Sequence, residues 1–440
     1  SADTDFLLMT PGARLQAAVE VLSAMVADPA AGDGVVRSYF RMRRYIGSGD
    51  RRDISGRLWR TVRHRSRLSW QLDQDQPSPR LLILGDSLLN EGQELATLDG
   101  LCSGDTYAPA PLDETERSAL SDASARAIDD MPAHVATECP DWLWPYFTDL
   151  FGDQAETELS ALSEEAPVDL RVNTLKTDRA TAKAALEAEG LTVENTGFAP
   201  YGLRMSGRTV LGNSKAFTDG FIEVQDEGSQ LAAALVDARP EQDVLDLCAG
   251  GGGKTLAMAA AMGGHGRIVA TDNEARRLNR AKPRLKRAGV YSVTTRVLEP
   301  DNTNWLHKKR KSFDRVLVDA PCSGTGAWRR SPDARWRFTP KDLSRYIEAQ
   351  DSLLTQGGRM TKPGGRLVYV TCSLLRQENE DRIEHFLERH EHFRGVSVAD
   401  IWKAVLGTRY PGRGKFLRLS PRRHQTDGFF IAILQRKVEG

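Results

Sequence analysis

The stretch Val244-Leu-Asp-Leu-Cys-Ala-Gly-Gly-Gly-Gly-Lys-Thr255 constrains this chain more than any other. An apolar run ending in an acid reads as a strand, and four consecutive glycines before a Thr read as a tight loop entering a helix. Without Cβ atoms the loop backbone adopts positive φ freely and lies directly against a ligand, with its N–H groups and the helix N-terminus facing that ligand. Two familiar cradles are excluded by register. A P-loop requires Gly where this chain has Cys248, and a dinucleotide fingerprint requires Gly or Ala at Thr255 or Leu256. What remains is a nucleoside ligand without a pyrophosphate, for which S-adenosylmethionine is the obvious candidate.

The next strand supports that choice. Arg267-Ile-Val-Ala-Thr-Asp272 ends in an acid about 20 residues past the glycines, the spacing at which a carboxylate reaches ribose hydroxyls. Asp272 is therefore the expected ribose ligand, against the simpler reading that it caps the helix starting at Glu274. Cys248 lies inside the cradle and is expected to pack against the ligand.

A chain of 440 residues exceeds one ordinary domain. No apolar run approaches the roughly 18 residues of a membrane span, and Ser1-Ala-Asp-Thr-Asp lacks secretory-signal character, so a cytoplasmic protein is expected. The five cysteines form neither a disulfide framework nor a zinc-ligand spacing, so no metal is expected and each cysteine needs its own explanation.

The net charge of zero conceals segregation. Val35 to Trp70 holds eleven arginines, no lysine and two acids, Asp50 and Asp53, whereas Gln71 to Asp169 holds 22 acids against Arg80, Arg117 and Arg126. With Tyr39, Phe40, Trp59 and Trp70 interleaved, the basic stretch suits a polyanionic partner, and the alternative is a solvated helix pair. Further basic stretches are Arg276 to Arg287, Lys308 to Lys311, and Arg409 to Arg423 around Phe416. Helical spacing after Thr10-Pro11 and again at Ile54, Leu58 and Val62 predicts an all-helical domain over 1–165. A small α+β unit, of the size of an RNA-recognition module, is expected over 166–235. Alternating β and α segments over 236–440 predict a doubly wound parallel sheet, with its ligands at the carboxyl ends of the strands.

Two further strands deliver candidate chemistry. Phe313 to Asp319 runs into Ala-Pro-Cys322-Ser-Gly-Thr-Gly326, and Gly365 to Thr371 runs into Cys372-Ser373, which places both cysteines in the ligand crevice. A lone cysteine is most often a buried small hydrophobe, the reading kept for Cys102 and Cys139. Two thiols beside a methyl-donor cradle suggest methylation of an unreactive carbon. C5 of a pyrimidine becomes nucleophilic once a thiolate adds to C6, and a base must then remove the C5 proton so that the thiol can leave. Asp319, protonated or sharing a proton, is placed to hold N3 of the ring.

Asp246-Leu-Cys-Ala-Gly-Gly-Gly-Gly-Lys-Thr255, Asp319 to Gly326, Arg330-Ser-Pro-Asp333, Thr371-Cys-Ser373 with Glu378-Asn379, and Asp427-Gly-Phe-Phe430 together resemble the motif series of the RNA 5-methylcytosine methyltransferases of the RsmB/Nop2/Sun family. The basic N-terminus resembles, more weakly, the NusB-like RNA-binding domain of bacterial members that act on 16S rRNA. The resemblance implies a Rossmann-like fold, S-adenosylmethionine as cofactor and RNA, most of all 16S rRNA or an assembling small subunit, as partner. It makes Cys372 the nucleophile and Cys322 the residue assisting release. Cys248, Ala249, Gly250, Gly251, Gly252, Gly253, Lys254, Asp272 and Asp319 would line the donor site, with Lys254 also reaching the active site. Glu299 is favoured over Asp301 as a second acidic donor contact. The family usually has Ala-Pro where this chain has Gly250-Gly251, which leaves the loop more flexible.

Trp328, Arg329, Arg330 and Trp336, just after Cys322, are expected to stack on or hold a flipped nucleotide. Alternatives from other classes are a DNA cytosine methyltransferase with Cys322 as nucleophile, an exocyclic-amine methyltransferase, and a ribosome-assembly factor that binds RNA without chemistry. The first lacks a target domain here, the second its Pro-Pro-aromatic motif, and the intact thiol pair argues against the third.

Overall fold

The computed structural model describes residues 9–28, 32–206, 211–299 and 304–438. The chain divides into two compact units, one of Ser1–Glu164 with Trp328–Arg337 and one of Glu165–Ala327 with Phe338–Gly440.

The first unit is helical. Its opening helix, Pro11–Ala27, starts where expected: Thr10 accepts a hydrogen bond from the Ala13 N–H at 3.2 Å and Pro11 takes a position that needs no donor. Helices Gly32–Met42, Ser48–Arg63, Pro79–Leu89 and Glu114–Ala125 follow. Leu15, Val21, Ile54, Leu58, Leu68, Ile83 and Leu120 fill their shared core. The acid-rich stretch answers part of the basic one internally. Arg57 pairs with Glu91 at 2.6 Å, Arg60 with Asp86 at 2.6 Å, and Arg67 with Glu138 at 3.3 Å.

The second unit holds two sheets. The smaller has strands β1 (Val168–Val172), β2 (Val193–Asn195), β3 (Gly202–Met205) and β4 (Ile222–Val224) in the order β2-β3-β1-β4, all antiparallel. Helix Arg179–Ala188 covers one face through Ala182 and Leu186.

The larger sheet comprises β5 (Asp243–Asp246), β6 (Arg267–Asp272), β7 (Val293–Val297), β8 (Phe313–Asp319), β9 (Thr361–Thr371), β10 (Phe393–Val396), β11 (Leu417–Leu419) and β12 (Phe429–Arg436). The order is β10-β12-β9-β8-β5-β6-β7, with β11 paired to β12. Strands β5 to β9 pair in parallel, and β12 runs antiparallel to β9. β5 lies between β6 and β8, so the chain steps one way from β5 to β7 and then returns to its other side. That reversal opens a crevice at the carboxyl ends of β5 and β8. Val244, Leu317, Val368 and Ile431 fill one face of the sheet, and Leu245, Val316, Tyr369 and Phe430 the other. This is a Rossmann-like α/β domain.

Candidate active site

The glycine loop follows β5 directly. Gly250 (φ +54°) and Gly252 (φ +79°) take left-handed conformations that side chains resist. A Cβ on Gly252 would come within 2.8 Å of Ala281, whereas one on Gly250 would meet nothing within 4 Å. One glycine thus lets the loop approach a helix, and the other leaves its concave side open. The Ala249 N–H donates to the Thr271 carbonyl at 2.8 Å and the Gly250 N–H to Asp272 Oδ2 at 3.0 Å. Asp272 Oδ1 accepts from the Glu274 N–H at 2.9 Å. That is a local turn ahead of the helix, whose N-cap is Glu274 without a side-chain cap bond, so Asp272 does not itself cap the helix; its carboxylate fixes the loop, and a carboxylate can accept further hydrogen bonds.

Asp246 is fully buried beneath the loop. Its Oδ2 accepts from the Thr255 hydroxyl at 2.6 Å, and its Oδ1 has no hydrogen-bond partner among the described residues. Burial pushes its pKa up to about 7 against the hydrogen bond from Thr255, with Asp319 and Asp272 adding to the rise. The Cys248 thiol is pushed up by burial and then by Asp246, Asp319 and Asp272. Glu299 is exposed two residues beyond Val297, the register partner of Asp272. Its competitor Asp301 lies outside the described residues.

Lys254, in the first turn of the following helix, reaches the Asp319 carboxylate at 2.7 Å and lies 5.3 Å from the Phe429 ring. Burial alone would lower the ammonium pKa, but Asp319, and after it Cys372 and Asp246, raise it above its ordinary value. A held cation thus faces the two thiols' crevice.

Asp319 ends β8 opposite Val370 in β9, so the loops that leave these neighbouring strands stay together. Cys322 Sγ lies 3.5 Å from Cys372 Sγ. The Cys322 thiol is raised well above its ordinary range by its hydrogen bond to Cys372, then by burial, then by the charges of Cys372 and Glu378.

What joins the two loops is Glu378, which is completely buried. Its carboxylate accepts from the Ser323 N–H at 2.8 Å, from Gln350 Nε2 at 3.1 Å, and from the hydroxyls of Ser323 and Ser373. The Tyr369 hydroxyl donates to the Glu378 carbonyl at 2.6 Å. Asn379 completes the arrangement, accepting from Thr371 Oγ1 at 2.6 Å and donating to the Ser373 carbonyl at 2.8 Å. The Gly428 N–H donates to the Gly326 carbonyl at 2.8 Å, and a Cβ on Gly326 would collide with the Gly428 carbonyl. The terminal Asp-Gly-Phe-Phe motif is thus packed backbone to backbone on the Pro-Cys-Ser loop.

Cys248, the glycine loop, Lys254, Asp272, Asp319, Cys322 and Cys372 thus follow adjoining strands at one end of the sheet. The expectation for the residues after Cys322 needs correction. Trp328 is wholly buried in the helical unit, its ring against Phe147 with centroids 5.7 Å apart and the Arg335 guanidinium 4.7 Å above it. Trp336 Nε1 donates to the Val62 carbonyl at 3.2 Å, and Arg329 is also buried. Trp328 and Arg329 are core residues, closed to a nucleotide; Arg330 is exposed. Glu378 entered the sequence reading only as a motif letter, because its partners lie 5, 28 and 55 residues away.

A family model described as 16S rRNA methyltransferase RsmB/F matches residues 233–435, and one for the ferredoxin-like domain of such methyltransferases matches 139–210. A probable ribosomal RNA small subunit methyltransferase B of Synechocystis is 34% identical over 80% of this chain and 79% of its own. Its counterpart in Bacillus subtilis is 31% identical over 79% and 78%. The crystal structure of PH0851 superposes with a TM-score of 0.77 at 25% identity, covering 98% of this chain and 100% of its own. The chain belongs to the RsmB/F family of 16S rRNA methyltransferases.

Proposed function

We propose that the chain methylates C5 of a cytosine in 16S rRNA through a covalent bond between Cys372 and C6 of the ring. The observation that carries this reading is the 3.5 Å approach of Cys322 to Cys372, beside Lys254 and Asp319 and next to the glycine loop. S-adenosylmethionine supplies the methyl group as an electrophile. The open side of the loop at Gly250 suits a flat nucleoside, and Asp272, the backbone of 248–253, Glu299 and Asp319 are the residues that would hold it.

The Cys372 sulfur bonds to C6, and the electrons of the C5–C6 double bond move into the ring, making C5 nucleophilic. The Lys254 ammonium, shared with Asp319, offsets negative charge developing on the ring. After C5 bonds to the methyl carbon, its proton must leave and the sulfur–C6 bond must break. Cys322 assists that release as the base: once Cys372 is bonded to carbon, its hydrogen bond and charge no longer hold the Cys322 proton, which passes to solvent. The Cys322 thiolate then takes the C5 proton, the C5–H electrons re-form the C5–C6 double bond, and Cys372 leaves C6 as a thiolate.

Bisulfite sequencing of 16S rRNA from cells with and without the gene tests the reading. One cytidine protected only when the gene is present is expected. Undiminished protection at every cytidine in the deletion strain would reject it.

A further inference from the structure

Four successive glycines are the least stiff backbone a binding loop can have, and ordering them costs more conformational entropy than any other residue type. Something outside the loop must limit that freedom if the loop is to bind from a prepared shape. Helix Ala275–Ala288 supplies the contact. Ala281 and Arg284, three residues apart and so on one helix face, both meet the loop. Arg284 Nη1 donates to the Gly251 carbonyl at 2.6 Å. The other edge of the guanidinium, Nε and Nη2, donates to Glu223 Oε2 at 3.2 and 3.1 Å.

Glu223 comes from β4 of the small sheet and is 4% exposed. Its second oxygen pairs with Arg287, whose guanidinium lies 3.9 Å from the Phe217 ring. A buried carboxylate thus aims one face of a planar fork at the middle of the glycine loop. A lysine, with a single ammonium, has no second rigid edge to do the same.

We infer that Arg284, oriented by Glu223, is a positioning residue for donor binding: it holds the Gly251 carbonyl and preorganises the loop. This rests on the loop's being the donor site. The small sheet therefore bears on donor affinity through one ion pair, although β4 itself contributes no residue to the loop.

The test compares Arg284→Lys with Arg287→Lys, using S-adenosylhomocysteine in calorimetry and steady-state kinetics with 16S rRNA. Arg284→Lys is expected to weaken S-adenosylhomocysteine binding and raise the donor KM by roughly tenfold, the size of one lost charged hydrogen bond, leaving kcat at saturating donor and the KM for RNA unchanged. Arg287→Lys removes a comparable pair with Glu223 without touching the loop, so its donor KM should stay at the wild-type value even if its Tm falls. Asp272→Ala gauges the loop as donor site independently. An unchanged donor affinity in Arg284→Lys, or an equal loss in Arg287→Lys, would overturn the inference if Asp272→Ala still loses affinity. No loss in Asp272→Ala would overturn the donor-site reading itself.

Discussion

Cys322 and Cys372 belong to loops leaving neighbouring parallel strands, and their sulfurs lie 3.5 Å apart, the hydrogen bond to Cys372 raising the Cys322 thiol well above its ordinary range. One thiol of such a pair can add to a substrate while the other remains to serve the second half of the reaction. The roles proposed for them separate cleanly in variants. Cys372→Ala should neither methylate RNA nor form a covalent complex. Cys322→Ala should attack and transfer the methyl group but release slowly, and so accumulate bound to its product. Expressed in cells, Cys322→Ala should run as an RNase-sensitive, slow-migrating band on a denaturing gel, and the double variant should not. Trapping in Cys372→Ala alone would exchange the two roles.

Glu378 carries a different prediction, because among the described residues it hydrogen-bonds to neither thiol yet joins both loops. Glu378→Ala leaves the Ser323 N–H without its buried acceptor, at a cost of about 1 to 3 kcal/mol, and takes from Gln350 Nε2 one of its two acceptors, the Pro321 carbonyl remaining. Thermal unfolding should show the loss, and covalent trapping in a Cys322→Ala background should fall. Donor affinity should stay near the wild-type value, since among the described residues Glu378 bonds to Ser323, Gln350, Tyr369 and Ser373 and not to the glycine loop. Loss of donor affinity equal to the loss of trapping would place its effect on the whole domain rather than on the two loops.

Asp246 gives a pH signature. Its native pKa of about 7 stands above the ordinary carboxylate value of 3.8, so the folded state holds a proton that the unfolded state has released between those values. Stability from this group is full below the unfolded value and lost as pH rises through the native one, on the order of 1.4 kcal/mol per pH unit within the window. Asp246→Asn keeps an uncharged side chain at every pH. The variant should lose part of the decline in urea-unfolding stability between pH 4 and 7 that the parent shows. Identical pH profiles for the two proteins would mean that Asp246 titrates elsewhere.

How much of this was legible follows from how far each residue's partners lie along the chain. Asp272, Asp319, Cys322 and Cys372 each end or follow an apolar strand, and parallel pairing brings such ends together, so local pattern was enough to collect them. Arg284 looked like one more basic residue on a helix, because its partners Gly251 and Glu223 are 33 and 61 residues away. Trp328 and Arg329 misled for the opposite reason. They are close to Cys322 in sequence, but 328–337 belongs to the helical unit, and the aromatic pattern alone does not distinguish a stacking platform from a core anchor. The arginine-rich stretch was legible as a composition and not as a surface, since pairing with Asp86, Glu91 and Glu138 depends on the tertiary fold.

That sorting narrows where RNA phosphates are expected to meet the helical unit. Deleting residues 1–70 is a poor test, because Ile54 and Leu58 are fully buried in the unit's core. Arg57, Arg60 and Arg67 are held in ion pairs, whereas Arg37, Arg41, Arg44 and Arg51 line a groove of about 500 Å³ over Phe40. None of these four forms an ion pair among the described residues, although Arg37 acts electrostatically on Asp33. Tyr45, next to Arg44, is 70% exposed and offers a ring to a base. Replacing Arg37, Arg41 and Arg44 together by Ala should weaken 16S rRNA binding at low salt. The slope of log K against log salt should also become shallower by roughly 2 to 3, the counterions of three phosphates. S-adenosylhomocysteine affinity should be unchanged. Filter binding over a salt series measures the slope directly, and a slope equal to that of the parent would make the groove a solvated surface without RNA on it.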